Sequence, residues 1–116
     1  MPLTAFDEAF VDVTNMMAGH VHGIAKQKGW YDKERNPLEL LCLIHSEISE
    51  ACEAFRHGNP PSDQVPEFTH AEIELADAVI RILDMAAHYE WDIGGAIRCK
   101  VKFNQSRTKR HGGKAY

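Results

Sequence analysis

Four carboxylates recur in two pairs along the chain: Glu47-x-x-Glu50 and, after 23 intervening residues, Glu74-x-x-Asp77. Residues three apart on a helix are surface neighbours, so each pair shares one helical face. On a wheel of about 100° per residue, Leu40, Ile44, Ile48, Ala51 and Phe55 fill an arc of roughly 80°, with Leu43 to one side. Glu47 falls between Leu43 and Ala51, inside that apolar sector, and Glu50 falls at its edge. Glu39 and Glu53 point away. A carboxylate on a core-facing side is costly unless something pairs with it, so Glu47 calls for a partner.

The later stretch makes the same point. About half its wheel, from Ile82 through Leu75, Val79, Leu83, Ala76, Ala87 and Ile80 to Ile73, is apolar, and Ala78, Met85 and Tyr89 extend it. A stripe roughly 80° wide carries Glu74, Asp77, Arg81, Asp84 and His88. A helix this apolar is expected to be buried, with its polar stripe lining an internal site. The plain alternative is a solvent-facing stripe whose acids pair with Arg81 and His88. Carboxylate oxygens from two facing helices, with no thiolate among them, suit a hard cation, Mg²⁺ or else Mn²⁺. Di-iron bundles use Glu-x-x-His pairs, and neither stretch has one.

Four helices are needed to position these groups. The first is expected from about Thr4 to Lys28, with Phe6, Phe10, Val13, Met17, Val21 and Ile24 at helical spacing and Gly29 as its end. The second opens at Pro37 and runs to about His57, where Gly58-Asn59-Pro60-Pro61-Ser62-Asp63 breaks the chain. The third covers about His70 to Tyr89, and the fourth about Asp92, an N-cap, to Gln105. No β-type alternation of any length intervenes. The expected fold class is all-α: a single four-helix bundle-like domain over residues 1–116, with an irregular basic tail from about 106.

The 116 residues allow one core, and 44% hydrophobic content is enough to pack it. So small a domain leaves apolar surface uncovered, which leaves oligomer formation open as a way to bury more. No stretch approaches the roughly 20 apolar residues of a membrane span, and the first residues lack the pattern of a signal peptide, so no membrane partner and a cytoplasmic location are expected. Cys42, Cys52 and Cys99 form no Cys-x-x-Cys pair; Cys42 and Cys52 sit among apolar residues and are expected to be buried free thiols. The net charge of −4 hides an asymmetry: 6 Lys/Arg against 17 Asp/Glu up to Ile97, then 7 Lys/Arg and no acid. An acidic body with a basic tail suits a metal-plus-phosphate site, or simply a solvated tail.

The order Glu47-Ile48-Ser49-Glu50 … Glu74-Leu75-Ala76-Asp77 resembles the ExxE…ExxD signature of the MazG-like all-α nucleoside triphosphate pyrophosphohydrolases. Lys28-Gly29-Trp30-Tyr31-Asp32 before Arg35-Asn36, the run Ile44 to Ala51, Lys102-Phe103-Asn104-Gln105-Ser106-Arg107 and Arg110-His111-Gly112-Gly113-Lys114 resemble its small bacterial and phage members. The likeness covers nearly the whole chain, in order. It implies that Glu47, Glu50, Glu74 and Asp77 hold Mg²⁺, that a nucleoside or deoxynucleoside triphosphate is cut between its α and β phosphates, and that sites are shared within a homodimer or homotetramer. It places Lys100 or Lys102, Asn104 and Arg107 near the phosphates, and His22 and Trp30 beside the base. The chain departs from the family's Thr, Pro and Tyr at Ser106, Thr108 and Lys109.

The expected chemistry is metal-assisted: the cation neutralises phosphate oxygens and acidifies a water, with Glu50 put forward as general base and the basic residues stabilising the departing pyrophosphate. Trp30 has an alternative role capping the bundle. His20 and His22 point to different sides, His45 and His57 read as surface residues, and Asp84 reads as support for the metal ligands. Two other functions compete: a non-catalytic nucleotide or metal sensor on the same scaffold, and a nucleic-acid-binding module using the basic tail. The absence of an aromatic-rich binding motif argues against the second.

Overall fold

In the computed structural model, which describes residues 3–107, the chain forms four helices: α1 (Ala5–Gln27), α2 (Pro37–Arg56), α3 (His70–His88) and α4 (Ile93–Ser106). Their ends follow local chemistry. Thr4 and Asp7 form a capping box at the start of α1, and Thr69 and Glu72 form another at the start of α3. Asn36 caps α2 ahead of Pro37, and the Asp92 carboxylate accepts from the Gly95 N–H on α4. Such side chains satisfy amide groups that the first helical turn leaves without partners. Gly29, at φ 87°, ends α1 in a left-handed conformation that other residues adopt only under strain.

The all-α bundle reading holds. α3 packs between α1 and α2, and α4 lies back along α1. The α2–α3 seam is closed by Ala51, Ala54 and Ala71, small residues that let the two helices approach closely. α4 meets α1 at Gly94, where a side-chain carbon would lie 2.8 Å from the Val11 carbonyl oxygen. The segment between α2 and α3, expected only as a break, is well tied. Ser62 N–H donates to the Phe68 carbonyl, His70 N–H to that of Pro60, and the Asn59 side chain accepts from Ala71 N–H.

The expected burial of α3 on all sides is not observed. Its Ala71, Ala78, Leu83, Met85 and Ala86 are buried, but Leu75, Val79 and Ile82 form an exposed row, Val79 at 54%. The α1 face is corrected in the same way: Phe6, Val13, Met17 and Ile24 are exposed, and its buried residues are Asp7 and Ala18. Cys42, Cys52 and Cys99 are free as expected, but exposed rather than buried. The helices carry apolar residues over more faces than the described residues cover. No described helix is long and apolar enough to cross a membrane. The tail motif from Arg110 lies outside the described residues.

Candidate metal and nucleotide site

α2 and α3 face each other so that Glu47 meets Glu74 and Asp77, with ligand oxygens all within 4.8 Å of one another. All three are half-buried. The partner that Glu47 requires is Arg81, whose Nε donates to Glu47 Oε1 at 2.9 Å. Glu74 Oε1 lies 3.1 Å from His70 Nε2, one turn earlier on α3.

The three carboxylates crowd one another. Burial, then a hydrogen bond shared with Glu47, pushes the Glu74 carboxyl above its ordinary range, against the opposing pull of His70. Burial first, then the Glu47 charge, raises Asp77, while Arg81 opposes the shift. Among the described residues, negative charge here exceeds the positive charge set against it, and a divalent cation would relieve the excess. The donor set fits one: every ligand is a carboxylate oxygen, and at Mg–O lengths of about 2.1 Å the three groups need move only about an ångström to share an ion.

Beside the triad opens a cavity of about 370 Å³ lined by Val21, Ile24 and Lys28 of the α1 end, Trp30, Glu47, and the α3 residues Asp77, Ile80, Arg81 and Asp84. Trp30 therefore faces this cavity, and the Arg81 guanidinium lies 5.0 Å from its ring centre. Asp84 forms the far edge. His22 Nδ1 lies 2.8 Å from its Oδ1, and the Tyr31 hydroxyl donates to its Oδ2 at 2.8 Å. Burial, then this bond to Asp84, raises the Tyr31 phenol, which stays protonated at any ordinary pH. Tyr31 in turn stacks on His88 with ring centres 4.3 Å apart.

No protein-family model, curated protein or solved structure matches this chain.

Three of the four expected metal ligands converge. Glu50 lies outside that cluster: it is exposed, in a depression with Glu53, Ala54, His57 and His70. Trp30 lines the cavity, and His22 stands behind it through Asp84. The late residues lie elsewhere. Lys102 Nζ is 3.0 Å from Asp7 Oδ2, near the start of α1, whereas the cavity begins at Val21. At 1.5 Å per helical residue, Asp7 and Ile24 are roughly 25 Å apart along the axis. Lys100, Asn104 and Arg107 are exposed around the same end, with Lys100 and Arg107 over the Phe103 ring.

Several participants were missed by reading the sequence. His70 and Glu74 stand at i, i+4 on one helix, a spacing that could have paired them. Lys28 stands two positions before Trp30 and shares its cavity. Tyr31 pairs with Asp84 across 53 positions, which no local pattern reveals. Arg81 was expected to pair with an acid and does so; His88 was expected to as well, but packs against aromatic rings instead.

Proposed function

We propose that this protein is a Mg²⁺-dependent nucleoside triphosphate pyrophosphohydrolase of the MazG-like type, converting an NTP or dNTP and water to the monophosphate and pyrophosphate. The observation that carries the reading is the convergence of Glu47, Glu74 and Asp77, two of which, Glu47 and Asp77, line a cavity that Trp30 also lines. Carboxylates alone would suit any hard cation. An aromatic face with Val21, Ile24 and Ile80 beside them suits a planar base attached to a phosphate chain. The cation would neutralise phosphate oxygens and supply an acidified water. Glu47, Glu74 and Asp77 would hold it, Trp30 would stack on the base, and Lys28 at the cavity wall would meet phosphate charge.

The placement of Lys100, Lys102, Asn104 and Arg107 supports a further part of the reading. Some 25 Å from the cavity along α1, they would reach a triphosphate only from a second copy of the chain. The exposed rows Leu41–Ile48–Phe55 on α2 and Leu75–Val79–Ile82 on α3 offer apolar surface for a homodimer or homotetramer to bury.

Pyrophosphate release from a panel of canonical and modified NTPs and dNTPs tests this directly. With Mg²⁺, wild type is expected to turn over at least one member, and Glu47→Gln and Asp77→Asn to reduce release about 100-fold or more. Folded wild type that releases none from any member would contradict it. A second reading, a nucleotide or metal sensor without turnover, is favoured by the exposed position of Glu50 away from the triad; it predicts binding of Mg²⁺ and nucleotide with no release.

A further inference from the structure

Arg81 sits between the two halves of the site. Its Nε is bonded to Glu47, and its guanidinium lies against Trp30. Among the described residues Glu47 is the only hydrogen-bond partner of that guanidinium. A second arginine near Trp30, Arg35, is anchored differently: its Nη1 donates to the Trp30 carbonyl at 3.3 Å and its Nη2 to Glu39 at 3.0 Å. Arg35 also reaches the Trp30 ring, its guanidinium 5.5 Å from the ring centre, but its hydrogen bonds go to the Trp30 carbonyl and Glu39, whereas Arg81 is held by the two groups a metal-nucleotide complex would require.

Both of those groups can be claimed by ligand. A divalent cation on Glu47 competes for the oxygen that Arg81 holds and repels its positive charge. A base stacking on Trp30 competes for ring face that the guanidinium partly covers. The charges around Arg81 are consistent with a role as internal counter-ion. Facing it are Glu47 from α2 and Asp77 from α3; Glu74 is already met by His70, and Asp84, one turn on, by His22 and Tyr31.

Resting on the reading that the triad holds a divalent cation, we propose that Arg81 is a displaceable counter-ion: it occupies Glu47 when no cation is bound, yields to the cation, and in leaving exposes Trp30 for the base. Metal loading and readiness for the base are then coupled through one side chain. Release of the guanidinium from both partners makes metal binding and base binding favour each other, with the coupling symmetric as linkage requires. Arg81 acts here as a positioning residue.

The test measures binding rather than turnover. Calorimetric titration with Mn²⁺ is expected to give Arg81→Gln a dissociation constant roughly three- to tenfold below that of wild type, about the worth of one half-exposed ion pair. Arg81→Lys, which keeps a cation near Glu47, is expected to stay close to wild type. Acrylamide quenching of Trp30, read in a Trp91→Phe background that leaves one tryptophan, is expected to rise when Mg²⁺ is added to the chain with Arg81 intact. In Arg81→Gln it should already be high and no longer respond. Equal or weaker Mn²⁺ binding by Arg81→Gln would show that Arg81 holds Glu47 in place for the metal, and would overturn the proposal. So would Trp30 quenching that ignores Mg²⁺ while Arg81 is present. Failure of wild type itself to bind Mn²⁺ is a separate outcome: it overturns the cation site, and the counter-ion role with it.

Discussion

One cluster of charge lies at the start of α1 and another lies between α2 and α3, beside the cavity at the end of α1, and they are balanced in opposite ways. At the start of the helix one carboxylate, Asp7, is 1% exposed and meets Arg98, Lys102 and the Thr4 N–H and hydroxyl. The Thr4 N–H first, then Lys102, holds its carboxyl well below the ordinary range. Near the other end, three carboxylates share one arginine and one histidine, and two of them are pushed upward. A cluster that compensates its own charge ties elements together; one left acidic has capacity for a cation from solution. The first locks α4 onto α1. The second stores unfavourable charge beside an open cavity, as functional sites commonly do.

This contrast can be broken at either end. The largest effect is expected from Asp7→Ala, which leaves Arg98 and Lys102 without their shared partner and removes the α1 capping box. Its melting temperature is expected to fall by roughly 10 °C. A fall of only a degree or two would show that α4 is held by packing alone.

Acid sharpens the comparison, because the two clusters respond with opposite sign. Asp7 has a depressed carboxyl, so its contribution is present at neutral pH and is lost as pH falls below about 4 toward its lowered value. Asp77 has a raised carboxyl, so its ionised form costs stability at neutral pH, and that cost is relieved as pH falls through its raised range. The advantage of Asp77→Asn over wild type, measured without metal, should therefore shrink as pH is lowered from 7 toward 4. An advantage that grows would invert the assignment.

Helix limits were legible because their causes are local. Thr4 with Asp7, Asn36 with Pro37, Gly29, and Asp92 set their boundaries within a few residues of themselves, and the expected spans agree with the observed ones to within about two positions at each end. The acid triad was legible for the same reason: Glu47 stood inside an apolar sector, and Glu74 with Asp77 in a polar stripe. Which apolar faces are covered was not legible. Periodicity marks Phe6, Val13, Leu75 and Val79 as apolar, but the described residues supply too few neighbours to cover them, so they are exposed there. The Asp7–Arg98–Lys102 cluster joins positions more than 90 residues apart and leaves no periodic trace. Lys102 was accordingly expected near phosphates, and in this chain it pairs with Asp7.

The proposed divalent-cation site requires the Glu47–Glu74–Asp77 cluster to be unfavourable without a cation. Thermal melting of wild type and Asp77→Asn, each in EDTA and in millimolar Mg²⁺, addresses it most directly. In EDTA, Asp77→Asn is expected to melt a few degrees above wild type, since it removes a crowded charge. Mg²⁺ is expected to raise the melting temperature of wild type and to leave the variant nearly unmoved. An Asp77→Asn protein that melts below wild type in EDTA, with Mg²⁺ shifting both equally, would mean that the three carboxylates are ordinary structural partners, and would contradict the account.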